Sequence, residues 1–365
     1  MKKITVLVDV FYLKAAVAGI GSYIRELEAS CKDHGSDNFN YVFSHDINKL
    51  VGNSVFLNSN NRIIRWIFQI RYLIYKQVKL PLKILFSKAD YIICPDYVAP
   101  LITFNAKRIT VLHDSLFWDQ KNNYSVLWRK YFISLINLGM NSKTQIVTTS
   151  NYSKNNLIKI FRNNRNINFV YQSFNFHKTT SSNYKTPENY LLHIGSFEKR
   201  KDLITLVKAF KLVKDDSLKL VLAGAQIING SSEVLEEIKI FIFQNKLENK
   251  VILAGYVSKE EASVLYKNAL LYVFPSLDEG FGIPILEALS FSLPVICSDI
   301  DIFKEVGGDC VEYFKVGDSI SLSKKITSIL KSKNLKQKYN IKHLNKFTRK
   351  NFIKGFERII LDSND

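Results

Sequence analysis

The 365-residue sequence has few residues that interrupt or cross-link a chain: 7 Pro, 15 Gly and 4 Cys. The few Pro and Gly, with a hydrophobic content of 47%, exclude a disordered or low-complexity protein. The cysteines (Cys31, Cys94, Cys297 and Cys310) show no CxxC spacing. Buried thiols in a reducing compartment are therefore favoured over disulfides or a metal site.

Long apolar runs are also missing. No run reaches about 18 uncharged apolar residues, so the sequence predicts no transmembrane helix. The start, Met1-Lys2-Lys3 followed by ITVLVDV, has no small-residue cleavage site and is interpreted as a first strand. We therefore expect a cytoplasmic protein, with two domains because the chain exceeds one ordinary core.

Acidic charge is scarce. The chain has 33 Asp and Glu against 51 Lys and Arg, a net charge of +18. Residues 1–174 hold 23 Lys and Arg against 10 Asp and Glu, and the remainder holds 28 against 23. No acidic residue lies between Asp46 and Asp90. A basic first half could serve nucleic acid, an anionic membrane surface or a phosphorylated substrate.

Within that acid-free stretch, residues 62–88 (RIIRWIFQIRYLIYKQVKLPLKILFSK) interleave seven basic residues with aromatic ones. On a helix, one face would carry Arg65, Gln69, Tyr72 and Lys76, and the other Ile63, Ile67, Ile70 and Ile74. A basic amphipathic helix is typical of a segment lying on anionic lipid. The alternative is a surface helix whose apolar face packs in the core. Pro81 should kink or end it.

Buried apolar runs alternate with helical periodicity through both halves, which predicts an α/β protein with two parallel, doubly wound sheets. The predicted divisions are a first domain over 1–176, a linker over 177–189, a second domain over 190–345, and a C-terminal helix within 346–365 that packs back toward the first domain.

The most specific pattern is Leu271 to Ser298, LYVFPSLDEGFGIPILEALSFSLPVICS. It predicts a strand, a glycine loop containing Glu279, and a helix with Glu287 about one turn in. The amides of Phe281, Gly282 and Ile283 would lie at the helix N-terminus, where anionic or polar oxygens bind. The two carboxylates could act as general acid and base, or each could hold the hydroxyls of a diol.

A second pattern, Gly195-Ser196-Phe197-Glu198-Lys199-Arg200-Lys201, follows a predicted strand. Three consecutive cations crowd one another unless an anion or solvent receives them. A phosphate site is favoured, and a solvated helix start is the alternative.

In the first half, Gly19-Ile20-Gly21 lies between a strand and a helix predicted from about Ser22. It is either a tight turn with positive φ or a backbone lip over a diphosphate. His113 ends a strand predicted over Arg108 to Leu112. It would point into a ligand crevice, and the alternative is a structural hydrogen bond.

Together these motifs resemble the retaining nucleotide-sugar glycosyltransferases of the GT-B fold, family 4 (group 1), especially bacterial mannosyl- and rhamnosyltransferases of surface polysaccharide synthesis. The resemblance implies two Rossmann-like domains facing a central cleft. It implies transfer of a hexose, with mannose and GDP-mannose favoured, to a lipid-linked or oligosaccharide acceptor, without metal or other cofactor. Front-face attack would retain the anomeric configuration.

The resemblance also implies residue roles. Glu287 would hold the donor ribose, and Glu279 the transferred sugar. Arg200 and Lys201 would neutralise the diphosphate in place of a divalent metal, and His113 would contact the sugar. The implied donor-binding set further contains Phe281, Gly282, Ile283, Gly19, Gly21, Gly195 and Ser196. The chain departs from relatives at Lys199, where a proline is expected, and at Ser196, where some have Arg.

The implied partners are a nucleotide-sugar donor, a polyprenyl-diphosphate-linked saccharide and the anionic inner face of the plasma membrane, without nucleic acid. Rhamnosyl or glucosyl transfer is the alternative within the fold. An epimerase is disfavoured, because it would require acid/base residues around the sugar ring. A nucleic-acid-binding protein is also disfavoured, because no nucleic-acid motif accompanies the basic charge. A non-catalytic nucleotide-sugar or anionic-surface binder stays open.

Overall fold

The computed structural model describes residues 3–15, 19–51, 62–119, 126–141, 144–161, 166–174, 184–224, 231–332 and 341–363. The chain forms two compact units: unit 1 comprises Met1–Ser173 and Lys346–Asp365, and unit 2 comprises Phe174–Asn345. Of the predicted linker, residues 177–183 lie outside the described part. Within the described residues, no helix has the length and apolar character needed to cross a membrane.

Unit 1 is built on a parallel six-stranded sheet of order β2-β1-β3-β4-β5-β6. Its strands are β1 (Ile4–Val8), β2 (Phe39–Phe43), β3 (Tyr91–Cys94), β4 (Lys107–Val111), β5 (Gln145–Thr148) and β6 (Ile167–Phe169). The chain reverses direction across the sheet between β1 and β3. Such a reversal opens a crevice at the carboxyl ends of the two strands.

Helices connect these strands: α1 (Gly19–His34), α2 (Ile47–Val51), α3 (Arg62–Ile74), α4 (Leu80–Ser87), α5 (Leu116–Asp119), α6 (Val126–Gly139) and α7 (Asn151–Ile160). A π-helical turn, Tyr75–Lys79, joins α3 to α4. Ser150 caps α7 by accepting a hydrogen bond from the Ser153 amide at 3.0 Å.

The last helix, α15 (Arg349–Asp362), belongs to unit 1 and packs on α1. Arg349 forms ion pairs of 2.9 Å with Glu26 and with Asp33. The buried carboxylate of Glu357 accepts from the Ser36 amide at 2.7 Å. These polar contacts flank an apolar seam, so α15 completes the core of unit 1.

Unit 2 carries a second parallel six-stranded sheet, of order β12-β11-β10-β7-β8-β9. Its strands are β7 (Tyr190–Ile194), β8 (Lys219–Ala223), β9 (Val251–Gly255), β10 (Leu271–Phe274), β11 (Val295–Ser298) and β12 (Glu312–Phe314). Its helices are α8 (Leu203–Leu212), α9 (Ser231–Gln244), α10 (Lys259–Asn268), α11 (Ile283–Ser290), α12 (Asp301–Gly307), α13 (Ser319–Lys331) and α14 (Ile341–Leu344). Here the reversal lies between β7 and β10, the strands that lead into the two predicted motifs.

The predicted glycine loop after β1 is wrong. Helix α1 begins at Gly19, so Gly19, Ile20 and Gly21 form its first turn, and neither glycine has positive φ. The apolar period of Ile24 and Leu27 extends back to Ile20, which packs against the core.

The apolar face predicted for residues 62–88 does not pack in the core, although Leu80 and Ile84 of the same stretch do. Tyr72 and Lys76 are buried, whereas Ile67, Ile70 and Ile74 are about half exposed. Pro81 neither ends nor breaks the helical path. It occupies the first turn of α4, where its missing N–H is tolerated, directly after the π-helical turn.

Candidate active site

The candidate site of unit 2 lies at the carboxyl ends of β7 and β10, where the strand order reverses. The segment after β7 forms a 3-10 turn, Lys199–Lys201, and the segment after β10 forms the glycine loop. The Leu277 amide donates to the Arg200 carbonyl at 2.7 Å, which joins the two segments. Parallel strands with diverging connections therefore bring the two predicted motifs together.

Glu279 is the centre of the cluster. One carboxylate oxygen forms an ion pair with Arg200 Nη1 at 2.7 Å, and the other contacts Lys201 Nζ. Ser276 Oγ donates to the same oxygen as Lys201, at 3.0 Å. The structure thus brings Glu279 of one predicted motif together with Arg200 and Lys201 of the other.

Arg200 has a second carboxylate partner, Glu198, with 2.6 Å between Nε and Oε2. The other oxygen of Glu198 accepts from Ser196 Oγ at 2.8 Å. Glu198 therefore fixes the guanidinium by a charge-assisted hydrogen bond. Two carboxylates face two cations here, so the cluster is balanced in charge.

Lys199 behaves differently from its two neighbours. Its Nζ lies 3.1 Å from Glu233, and both side chains are more than 70% exposed. Lys201, in contrast, is buried, and its Nζ lies 5.0 Å from the ring centroid of Phe274. Lys199 therefore matches the predicted alternative of a solvated helix start. Arg200 and Lys201 instead point into the site.

The charge state of Glu279 follows from these partners. Burial alone would raise its pKa, but the charges of Lys201 and Arg200 outweigh burial and hold the pKa below the usual value. Glu279 is therefore a carboxylate that accepts hydrogen bonds at neutral pH. It is unsuited to donating a proton as a general acid.

The glycine loop enters helix α11 through Gly282, which has φ +107° and is the residue before the first helical one. A Cβ on Gly282 would lie 3.2 Å from the ring of Phe303. Both observations explain why glycine is required. Phe281 is buried beside it, and Ile283 begins the helix, so the predicted loop and helix start are confirmed.

Glu287 lies about one turn into α11, as predicted. Tyr266 OH donates to Glu287 Oε2 at 3.0 Å. Burial raises the pKa of Glu287 to about 7, in contrast to Glu279. Burial and the charges of both glutamates raise the pKa of Tyr272, whose hydroxyl donates to the Ile194 carbonyl.

A close backbone approach supports the start of the site. The Gly195 amide donates to the Ala223 carbonyl at 2.9 Å. A Cβ on Gly224, which has φ +150°, would lie 1.7 Å from the Gly195 carbonyl oxygen. Only glycine fits at position 224. Ser196 then follows, with its hydroxyl committed to Glu198.

His113 lies in unit 1, directly after β4, in the same unit as Gly19 and Gly21. Its Nε2 donates to the Pro95 carbonyl at 2.8 Å, so the alternative of a structural hydrogen bond is realised. Burial lowers its pKa to about 4, which keeps the imidazole neutral. With the proton on Nε2, Nδ1 remains an acceptor, and contact with a sugar stays a prediction.

Sequence reasoning missed three side chains that position the site: Glu198, Ser276 and Tyr266. Glu198 and Ser276 stand beside recognised motifs, so their polar type near cations was an available signal. Tyr266 approaches Glu287 from α10, 21 residues earlier in the chain. No local spacing identifies such a contact.

These site residues fall inside a region that matches a known family. Residues 177–345 match the family model for glycosyl transferases group 1. Residues 177–345 form a group 1 glycosyltransferase domain.

The glycosyltransferase domain has curated relatives. The chain is 31% identical over 206 residues to the O-antigen chain mannosyltransferase RfbU of Salmonella typhimurium, covering 56% of each chain. It is 26% identical over 223 residues to O-antigen chain mannosyltransferase B of Escherichia coli, again covering 56% of each. The matches thus span just over half the length of these relatives.

Solved structures match over the whole chain. A glycosyltransferase from Rickettsia africae superposes with a TM-score of 0.70 at 18% identity, covering 100% of both chains. Anabaena HepE in complex with UDP and glucose gives 0.69 at 14%, covering 98% of this chain and 100% of the other. The predicted GT-B fold class, with two parallel six-stranded sheets, is confirmed.

Proposed function

We propose that this protein is a retaining glycosyltransferase that moves a hexose from a nucleotide diphosphate sugar to an acceptor hydroxyl in bacterial surface polysaccharide synthesis. The observation that carries the proposal is the Glu279 carboxylate held between Arg200 and Lys201 inside the group 1 glycosyltransferase domain. It puts an acceptor for sugar hydroxyls next to two donors for a diphosphate.

The donor is held by the groups already described. Glu287 accepts from the ribose hydroxyls, and Glu279 from hydroxyls of the transferred sugar, with the backbone from Phe281 to Ile283 beside it. Arg200 and Lys201 share their charge between Glu279 and the diphosphate. Gly195 allows the backbone of unit 2 to lie near the phosphates.

In the reaction, the bond between the anomeric carbon and the phosphate oxygen breaks while the acceptor oxygen attacks from the same face. The acceptor proton passes to the departing phosphate, so no separate base is needed and the configuration is retained. Negative charge grows on the diphosphate as the bond breaks. Arg200 and Lys201 stabilise that charge from fixed positions, the role that a divalent metal has elsewhere.

Mannose is the favoured sugar and GDP-mannose the favoured donor, because two relatives are named O-antigen chain mannosyltransferases. Glucosyl transfer is the second candidate. A relative 31% identical over 172 residues is named poly(glycerol-phosphate) alpha-glucosyltransferase. The proposed acceptor is a polyprenyl-diphosphate-linked saccharide. The proposed location of the protein is the cytoplasmic, anionic face of the membrane that anchors this acceptor.

The test is transfer of radiolabelled sugar from GDP-mannose, dTDP-rhamnose or UDP-glucose to extracted glycolipid, with NMR of the product linkage. Arg200→Ala and Lys201→Ala should each lower kcat at least a hundredfold, because each removes charge stabilisation that grows in the transition state. Lys199→Ala is the matched control. It removes the neighbouring cation, whose partner is exposed Glu233, and should leave kcat within twofold.

Three results would contradict the proposal. The first is no transfer from any of the three donors, which with intact donor binding would favour the non-catalytic alternative. The second is inversion of the anomeric configuration. The third is a Glu279→Ala variant that transfers as fast as wild type.

A further inference from the structure

We propose that the outer side of residues 62–87 inserts into the acyl-chain region of an anionic lipid monolayer. The inserting side chains, called here the apolar stripe, are Trp66, Ile67, Ile70, Ile74, Val78, Leu82, Leu85 and Phe86. Each is at least 45% exposed, and the ends of the stripe, Trp66 and Phe86, reach 68% and 79%. The apolar stripe would be the surface that binds the membrane named as a partner under the proposed function, so this inference rests on that function.

Residues 62–87 leave an apolar side outward, unlike an ordinary surface helix. Their inward side carries Lys76 beside the core residues Tyr72 and Tyr75, because two aspartates at the strand reversal of unit 1 need partners. Lys76 Nζ lies 2.7 Å from Asp9 and 2.6 Å from Asp96, with all three side chains buried. Tyr72 and Tyr75 donate to the same two carboxylates, each at 2.9 Å. These bonds fix the rotation of the helix and leave its apolar side outward.

The stripe continues onto a neighbouring loop. The Leu101 amide donates to Gln77 Oε1 at 2.9 Å, which places the loop beside the π-helical turn. Leu101, Ile102 and Phe104 are 49%, 57% and 52% exposed. Single exposed apolar residues are normal on soluble proteins. An apolar surface that continues from one element to another is larger than such single residues produce.

Charge selects lipid as the occupant. Lys79 and Lys88 are exposed along the helical path, and Lys83 is half-buried. No Asp or Glu occurs between Asp46 and Asp90. A second copy of this chain would bring the same positive charge to the contact, whereas an anionic headgroup layer over acyl chains complements both the cations and the apolar side chains.

The experiment is cosedimentation of the full chain with vesicles of phosphatidylglycerol and phosphatidylethanolamine. Ile70→Glu/Ile74→Glu changes two stripe residues that are 51% and 50% exposed, so folding should be unaffected. It should weaken binding at least tenfold. The matched control is Ile240→Glu/Phe243→Glu on α9 of unit 2, at 55% and 74% exposure, which should stay within twofold.

Insertion is measured separately from electrostatic attraction. Tryptophan emission should shift to shorter wavelength on vesicle binding and be quenched by brominated acyl chains, and Trp66→Phe should remove most of this change. In high salt, part of the wild-type binding should remain, because buried apolar contacts are not screened.

Absence of binding, or an equal loss in both glutamate pairs, overturns the inference. So does a dimer in sedimentation velocity that the stripe variant dissociates without any vesicle binding. Titration with GDP separates the two proposals: the stripe variant should bind GDP like wild type. Vesicle binding without sugar transfer would refute the proposed function alone, and transfer without vesicle binding would refute the stripe alone.

Discussion

Lowering the pH from 8 to 6 should weaken donor binding close to tenfold if Glu287 holds the ribose as a carboxylate. Its pKa is raised to about 7 by burial. At that pKa the carboxyl is about 90% ionised at pH 8 and about 10% ionised at pH 6. An ionised carboxylate accepts two charge-assisted hydrogen bonds from a diol, whereas a protonated one spends an oxygen on its own proton.

Two other groups of unit 2 keep their protonation state in this window. The pKa of His193 is lowered to about 4 by burial, so its imidazole stays neutral. Tyr266 has a pKa well above its usual value and keeps the proton that it donates to Glu287. The diphosphate of a sugar nucleotide also keeps its charge. The dependence can therefore be assigned to one carboxyl group.

The assay is calorimetric titration with the intact sugar nucleotides GDP-mannose and UDP-glucose at half-unit pH steps, because the terminal phosphate of free GDP or UDP itself titrates near pH 6. Glu287→Gln should bind more weakly at pH 8 and show no dependence between pH 6 and 8. Tyr266→Phe removes a hydrogen bond that favours the ionised form, so its midpoint should move to higher pH. The 2′-deoxy form of GDP-mannose has lost one hydroxyl and should show a smaller dependence.

A flat wild-type Kd across this range would refute the reasoning, as would a Glu287→Gln variant with the wild-type slope. The same raised pKa has a consequence for stability. The folded state holds the proton more tightly than the unfolded state, so this contribution to the free energy of unfolding is full below about pH 4.5 and is lost as pH rises through about 7.

Three further predictions concern stability in urea. Glu279→Ala removes the shared partner of two cations, one of them buried, and should lower the free energy of unfolding by about 3–5 kcal/mol. The exposed control Glu233→Ala should change the free energy of unfolding by about 0.5 kcal/mol or less. Equal losses in the two variants would contradict the burial argument. Gly224→Ala puts a Cβ 1.7 Å from a backbone oxygen and should destabilise the protein far more than Gly255→Ala. Gly255 has φ +67°, but a Cβ there would have no atom within 4 Å, so this control should lose only about 1 kcal/mol. Similar unfolding midpoints for the two variants would refute this prediction. Lys76→Met leaves two buried aspartates without a counter-charge and should cost about 3–5 kcal/mol at neutral pH, with partial recovery as the pH falls and the aspartates take up protons; a loss independent of pH would contradict that cause.

The sequence was sufficient where one continuous segment decides the geometry. Glu279 and Gly282 lie in the loop after β10, and Glu287 lies in the helix that follows, so their spacing predicts their placement. The pairing of Glu279 with Arg200 required the strand order, because β7 and β10 become neighbours only in the sheet. Strand β2 was missed because Asn40 interrupts the apolar run of Phe39–Phe43, in which only Phe39 is buried.

The rotation of α3 was beyond sequence reasoning for a different reason. Amphipathic periodicity identifies two faces but not which one points inward. That choice depended on Asp9 and Asp96, buried charges from two separate strands, whose need for Lys76 outweighs the burial of three isoleucines. Tertiary charge pairing thus overrode the usual apolar-in rule.

The balanced cluster of Glu198, Glu279, Arg200 and Lys201 bears on selectivity and turnover. A free phosphate ion would compete with two carboxylates for the cations, so the site should discriminate against small anions. Under the proposed function, an intact sugar nucleotide offers hydroxyls to Glu279 at the same time as phosphates to the cations. Once the sugar has been transferred, Glu279 would again compete for the cations. The same ion pairs should therefore promote release of the nucleoside diphosphate.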